Sequence, residues 1–364
     1  MQESRIISRK SLMILLNEIS LSQKRRFKVK FPFYNLNLFE VDVGKYEIRD
    51  IVMEGDFNKA REKNMPDSDF LSNDLPRYTD FRDCLITSAF LGFTNFHDVS
   101  ERLIALAETI KSPSGRSKPL YLAMDTNIVY LKLFSRYFPL ENKENNERTT
   151  AIDFRISLSD IVREEIDTNI KYKYRASNLN KMKEAFNHAL LVDEFYNCST
   201  RKTRIAKSAQ NEIKLLFAEL EAERAQASQF PRDKEERDRL IAKSYSLFEK
   251  ERNGEVLLLT ADEDMAYHAK NAGLLVETLI IPHKVPSLGK IGPNQLVNLL
   301  YDMSLSFGVI RLSGTGIIIF GEWKGKSYDD YSKEHLKLRI EEASRIKGEF
   351  ERDLRIANKI DDLS

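Results

Sequence analysis

Two short apolar runs, "LYLAM" (Leu120–Met124) and "EVLLLT" (Glu255–Thr260), constrain this chain more than any other feature. Neither alternates polar with apolar. Continuous runs of this length suit strands buried on both faces of a parallel sheet. Parallel strands need crossovers, and the sequence supplies helices for them. "SDIVREEIDTNIKY" carries Val162, Ile166 and Ile170 at helical spacing, with Ser159 as candidate N-cap. "DRLIAKSYSLFEKERNG" puts Leu240, Ile241, Ser244, Leu247 and Phe248 on one side and stops at Gly254. "DEDMAYHAKNAG" follows as a helix closed by Gly273, and "LLVETLII" is the next strand. Strand, helix, strand in this order implies right-handed crossovers and a three-layer α/β arrangement.

At 364 residues the chain is long enough for two or three domains. Apolar content of 42% and charged content of 31% describe a soluble globular protein, not a disordered one. With 57 basic and 56 acidic side chains, any phosphate-binding surface must be a local patch. Cys84 and Cys198 lack metal-type spacing and read as ordinary thiols in a reducing compartment. "LMILL" is too short for a signal sequence, and no stretch is apolar enough to span a bilayer. The expected location is cytoplasmic, with no membrane partner.

"SPSGRSK", residues 112–118, reads as a linker. Before it, residues 1–111 read as an α+β domain without a catalytic constellation. It contains a helix in "SRKSLMILLNEISL", strands in "FKVKFPFYNLNLFEVDV", and an amphipathic helix in "ERLIALAETIK". Pro32 demotes the first of those strands to an edge. Residues 172–237 form a charged, mostly helical stretch containing "KYKYR" and "TRKTRIAK". The segment 283–364 reads as a C-terminal extension: a helix in "PNQLVNLLYDMSLSFG", a hairpin in "VIRLSGTGIIIF", and a charged helix from Tyr331 onward. Leu336, Ile340, Ala343, Phe350 and Leu354 form that last helix's apolar stripe.

Ligands bind at the carboxyl ends of strands in an open parallel sheet. Asp125 stands one residue past the first apolar run and Asp262 two past the second. Asp238 opens a helix and Glu165 lies on the helix after the first crossover, so all four carboxylates can meet at one sheet edge. Asp264 is a fifth candidate. Two unit charges about 4 Å apart repel by roughly 4 kcal/mol at an effective dielectric near 20. A hard divalent cation, Mg²⁺ or Mn²⁺, relieves this, and an all-oxygen site argues against zinc. Hydrolysis of a phosphodiester suits such a site best.

The order "MDTN", "IVREEI", "DRLIAKS", "LLLTADEDMA" resembles the PIN domain, a metal-dependent nuclease fold, over roughly residues 119 to 281. The resemblance implies a three-layer PIN-like domain (119–282) with a central parallel sheet and a helical insertion near 172–237. It implies Asp125, Glu165, Asp238 and Asp262 as catalytic and metal-binding residues, with Thr126, Asn127 and Thr260 as polar supports. The V-x-x-E-I frame selects Glu165 over Glu164. Asp264 is a further ligand candidate or a helix N-terminal charge, and His268 lies one turn on. Lys171, Lys173, Arg175, Arg201, Lys202 and Arg204 read either as an RNA-contacting surface or as solvated helix faces.

Two other signals fall away. "GEWKGKS" is one residue short of a Walker A loop, has Phe320 at the first glycine position, and leaves no room for a second metal-binding strand. A haloacid-dehalogenase-type phosphatase needs an Asp where Asn127 stands. The expected function is a Mg²⁺- or Mn²⁺-dependent endoribonuclease on single-stranded RNA. The alternatives are a catalytically silent RNA- or protein-binding scaffold and a structure-specific DNA nuclease. Nothing in the sequence excludes a homodimer.

Overall fold

A computed structural model describes residues 4–22, 25–110, 118–138, 154–227, 229–231, 233–341, 344 and 346–361. Apart from Lys118, the expected linker lies outside them. Thirteen strands are found among the described residues. They are β1 (Ser4–Ser8), β2 (Arg26–Phe31), β3 (Leu36–Asp42), β4 (Glu47–Arg49), β5 (Leu120–Met124), β6 (Arg155–Ser159) and β7 (Glu223–Ala225). The remainder are β8 (Glu255–Thr260), β9 (Leu275–Thr278), β10 (Leu288–Lys290), β11 (Val309–Ser313), β12 (Ile317–Phe320) and β13 (His335–Ile340). The class is mixed α/β, with one parallel and one antiparallel sheet. The chain divides into two compact units, Met1–Leu91 with Lys171–Ile205 and Lys284–Ser364, and Gly92–Ile170 with Ala206–His283.

The second unit holds the parallel sheet, in the order β7-β6-β5-β8-β9. β5 lies at its centre with all five residues buried, which is what its unbroken apolar run requires. Successive strands are added on one side as far as β7 and on the other from β8 onward. The strand order therefore reverses between β5 and β8, and such a switch point opens a crevice at the carboxyl ends. Tyr245 fixes that edge. Its buried hydroxyl donates to the Met124 carbonyl at 2.7 Å and accepts from the Ser159 amide at 3.0 Å. Residues 92–110 belong to this unit rather than to the N-terminal region. The side-chain amide of Asn95 donates to the Thr278 carbonyl, and its oxygen accepts from the Ile280 amide, both at 2.8 Å.

One helix boundary moves. The helix Lys234–Arg252 starts a turn earlier than the apolar spacing predicts, because Asp233 caps it by accepting from the Glu236 amide at 3.1 Å. Asp238 consequently sits in the second turn, not at the opening. Ile241, Ser244 and Phe248 are buried as expected, whereas Leu247 is exposed.

The first unit corrects several expectations. Its eight strands run antiparallel in the order β1-β13-β12-β11-β2-β3-β4-β10. β1 pairs with β13 and β2 with β11, so residues 1–91 and 284–364 are not a domain and an extension but halves of one sheet. Pro32 falls just past β2, outside the ladder, and β2 is an interior strand. The segment from Tyr331 is not one helix. Leu336, Leu338 and Ile340 are buried in alternation along β13, and a helix begins only at Lys347. Leu336 and Ile340, four apart, fit either period, and Leu338 decides for the strand. Phe350 and Leu354 of the stripe are buried on that final helix, while Ala343 lies outside the described residues. The expected insertion is divided too, with 171–205 in this unit and the rest in the other.

The hairpin of β11 and β12 leads into the stretch that imitates a phosphate-binding loop, and Gly321 there has a packing cause. A Cβ at Gly321 would lie 2.1 Å from the carbonyl oxygen of Ser304, in the buried helix Pro293–Phe307. Gly321→Ala is expected to cost about 1–3 kcal/mol or more by overpacking, read as a fall in the urea midpoint. An unchanged midpoint would show that the helix and the strand end can separate without loss.

Candidate active site

Asp125 follows β5 and caps the short helix Thr126–Tyr130 with extended backbone. One carboxylate oxygen accepts from the Ile128 amide at 2.9 Å and the other from the Thr260 hydroxyl at 2.5 Å. The side chain is buried, and desolvation pushes its pKa up to about 6 against the lowering effect of those two donors. Asp262 and Asp238 add to the rise. Across the switch point, Asp262 caps the helix Glu263–Asn271 by accepting from the Asp264 amide at 2.9 Å. Thr260 links the two acids, since its oxygen also accepts from the Asp262 amide at 2.9 Å.

Asp238 is half-buried and bears on the others. Burial raises its pKa; Lys234 opposes the rise, Asp262 and Glu165 reinforce it, and His268 weakly opposes it. Glu165 accepts from the Thr126 hydroxyl at 2.7 Å, whereas Glu164 is exposed. Thr126 and Thr260 thus hold carboxylates directly. Asn127 and Asp264 are exposed, and Asp264 meets Asp262 only through its backbone amide.

Two cations were missed in the sequence. Lys234 pairs with Asp262 at 3.1 Å and Arg237 with Glu165 at 2.5 Å. Burial would raise Asp262, but the Lys234 ammonium and the Asp264 amide bring its pKa below the ordinary carboxylate value. The usable signal was their position, one turn and one residue before Asp238. Among the described residues neither Asp125 nor Asp238 has an ion pair. Four carboxylates against two cations leave an excess of two negative charges when all are ionised. Among the described residues, however, no three carboxylate, imidazole or thiolate groups stand close enough to hold a metal ion. Asp125 has both oxygens hydrogen-bonded, and Asp262 and Glu165 are held by their cations.

The basic residues lie in the antiparallel-sheet unit and separate into two groups. Lys171, Lys173 and Arg175 are exposed, as is Lys202. Arg204 is not available to RNA, which corrects the expectation. It is buried, donating to the carbonyls of Leu305 at 2.6 Å, Ser199 at 2.8 Å and Ser306 at 3.1 Å. Arg201 is also committed, pairing with Asp80 and donating to the Asp74 carbonyl at 2.7 Å.

Comparison with protein-family models, with curated proteins and with solved structures finds no match to this chain. No helix among the described residues is long and apolar enough to cross a membrane.

Proposed function

We propose that the parallel-sheet unit is a PIN-like, metal-dependent nuclease that hydrolyses phosphodiester bonds, with single-stranded RNA as substrate. The observation that carries the reading is the electrostatic coupling of Asp125, Glu165, Asp238 and Asp262 beside the switch point, with two charges unanswered. The donor chemistry fits a hard cation, being oxygen-only and net negative. Asp125 and Asp238 would hold Mg²⁺ or Mn²⁺, joined by Asp262 and Glu165 on leaving Lys234 and Arg237. A bound cation of this kind lowers the pKa of a water and stabilises a leaving oxygen. Thr126 and Thr260 orient the carboxylates they bond. Lys234 and Arg237 stand beside these acids, where their charge can answer that of a substrate phosphate.

The two ion pairs favour a second reading, a catalytically silent scaffold whose acids are neutralised by its own side chains. Titration calorimetry with Mn²⁺ separates the two. For the nuclease, Lys234→Ala is expected to tighten Mn²⁺ binding several-fold, because it removes a competitor for Asp262. For the scaffold, neither form binds. Cleavage of labelled single-stranded RNA and DNA with Mn²⁺, and its loss in EDTA, tests the activity itself. Equal cleavage in EDTA would refute metal dependence, and a preference for DNA would move the substrate to the alternative class.

A further inference from the structure

Within the antiparallel-sheet unit alone, an open cavity of about 860 Å³ is lined by Phe70, by residues 171–178 and by Tyr196 and Asn197. Three of its aromatic rings face solvent, with Phe70 42%, Tyr172 55% and Tyr196 53% exposed. Three cations share the rim, Lys171, Lys173 and Arg175, and among the described residues none has an ion pair. Cations elsewhere in this unit are often neutralised. Lys183 pairs with Asp193, and both Lys337 and Arg339 pair with Glu194. The pocket therefore keeps exposed rings and unanswered positive charge together.

The walls are also fixed in advance. The amide of Tyr174 donates to the Cys198 carbonyl at 2.9 Å, and the amide of Thr200 donates to the Tyr172 carbonyl at 3.1 Å. The buried Tyr174 hydroxyl donates to Asp74 at 2.5 Å, and Phe70 packs edge-on against the Tyr174 ring at 6.4 Å. Lys324 lies over one face of the Tyr196 ring, 5.6 Å from its centroid, which adds positive charge there. A wall whose backbone is already held loses little freedom when a flat partner settles on it.

We infer that this pocket binds a short stretch of single-stranded nucleic acid, its bases stacked on Tyr172 and Tyr196 and its phosphates met by Lys171, Lys173 and Arg175. Stacking accepts any base, and the cations supply backbone attraction without sequence preference. An acidic peptide would use the charges and leave the rings idle, and for that reason nucleic acid is the better occupant. The site is distinct from the acidic cluster and does not depend on its chemistry.

The test is fluorescence anisotropy on the full chain in EDTA, where metal-dependent cleavage cannot interfere, using fluorescein-labelled 12-mers of uridylate and of thymidylate. Tyr172→Ala with Tyr196→Ala is expected to weaken binding by roughly tenfold or more, and Tyr→Phe at both positions to restore it. Lys173→Gln with Arg175→Gln should reduce the slope of log K against log salt by roughly 0.7 for each phosphate that is no longer neutralised. All four side chains are at the surface, and circular dichroism checks that the variants remain folded. Wild-type affinity in the double Tyr→Ala variant would overturn the proposal, as would a chain that binds neither oligomer. Displacement of the oligomers by polyglutamate at equal charge concentration would overturn it as well, because the pocket would then read charge alone. No cleavage of the same oligomers in Mn²⁺, with binding in EDTA intact, would sink the nuclease reading and leave this one standing.

Discussion

Asp125→Asn is expected to abolish metal-dependent cleavage and, in the metal-free protein at pH 7, to raise stability. The first effect follows from removing the buried charge at the switch point, and a loss of about a hundred- to a thousandfold is expected, as for other groups that organise transition-state charge. The second follows from linkage. Burial raises the Asp125 pKa from 3.8 to about 6, so the folded chain binds this proton more tightly than the unfolded chain does. Between about pH 4 and pH 6 stability therefore falls as pH rises, and above pH 6 the full penalty remains. Two pKa units correspond to about 3 kcal/mol at most. The Asn variant escapes the penalty, so its gain in melting temperature should be large at pH 7 and close to zero at pH 4. A variant that melts below the wild type at pH 7 in EDTA would refute the desolvation account. Unchanged cleavage at saturating Mn²⁺ would remove Asp125 from the site.

Arg204→Ala should have the opposite sign and a comparable size. The guanidinium is buried, bonded to three carbonyls, and lies in the field of Glu322, which is itself buried and accepts from the Ser199 amide at 3.0 Å and from the Tyr331 hydroxyl. Removing it leaves those carbonyls unsatisfied and the Glu322 charge uncompensated. The expected cost is about 3–5 kcal/mol, seen as a melting temperature lower by roughly 10 °C. Arg204→Lys should recover only part of this, because one ammonium cannot replace a fork that reaches several acceptors. A variant as stable as the wild type would mean the network contributes nothing to the fold.

Arg204 also marks the boundary of what sequence reading reaches here. In "TRKTRIAK" it carries the same positive charge as Lys202, yet one is buried and the other exposed. Nothing local separates them, because two of the three carbonyls that accept from Arg204 lie a hundred residues further along the chain. Asp125 and Asp262 were legible for the converse reason. A carboxylate placed directly after an unbroken apolar strand is fixed by its own strand, whatever the rest does. Lys234 and Arg237 are half legible, because their position before Asp238 points to the site while only the folded partners reveal that they pair with Asp262 and Glu165. The antiparallel sheet was missed at the same level. β1 and β13 are each readable as short segments, but their pairing joins residues more than three hundred positions apart.

That pairing carries a consequence for synthesis. Ser8 meets His335, so β1 must wait for some 327 further residues (335 minus 8) before the strand it pairs with among the described residues exists. At about 5–20 residues per second this is on the order of half a minute. Through that interval β1 offers a bare edge, with Ile7, which is buried once the sheet is complete, left uncovered. The parallel sheet, by contrast, has every strand in hand once Thr278 has been made. A nascent chain stalled after Thr278 has cleared the ribosome but before His335 is made should therefore resist protease in strands β5 to β9 while remaining open to it at β1, and a helper that shields that strand would act during the wait.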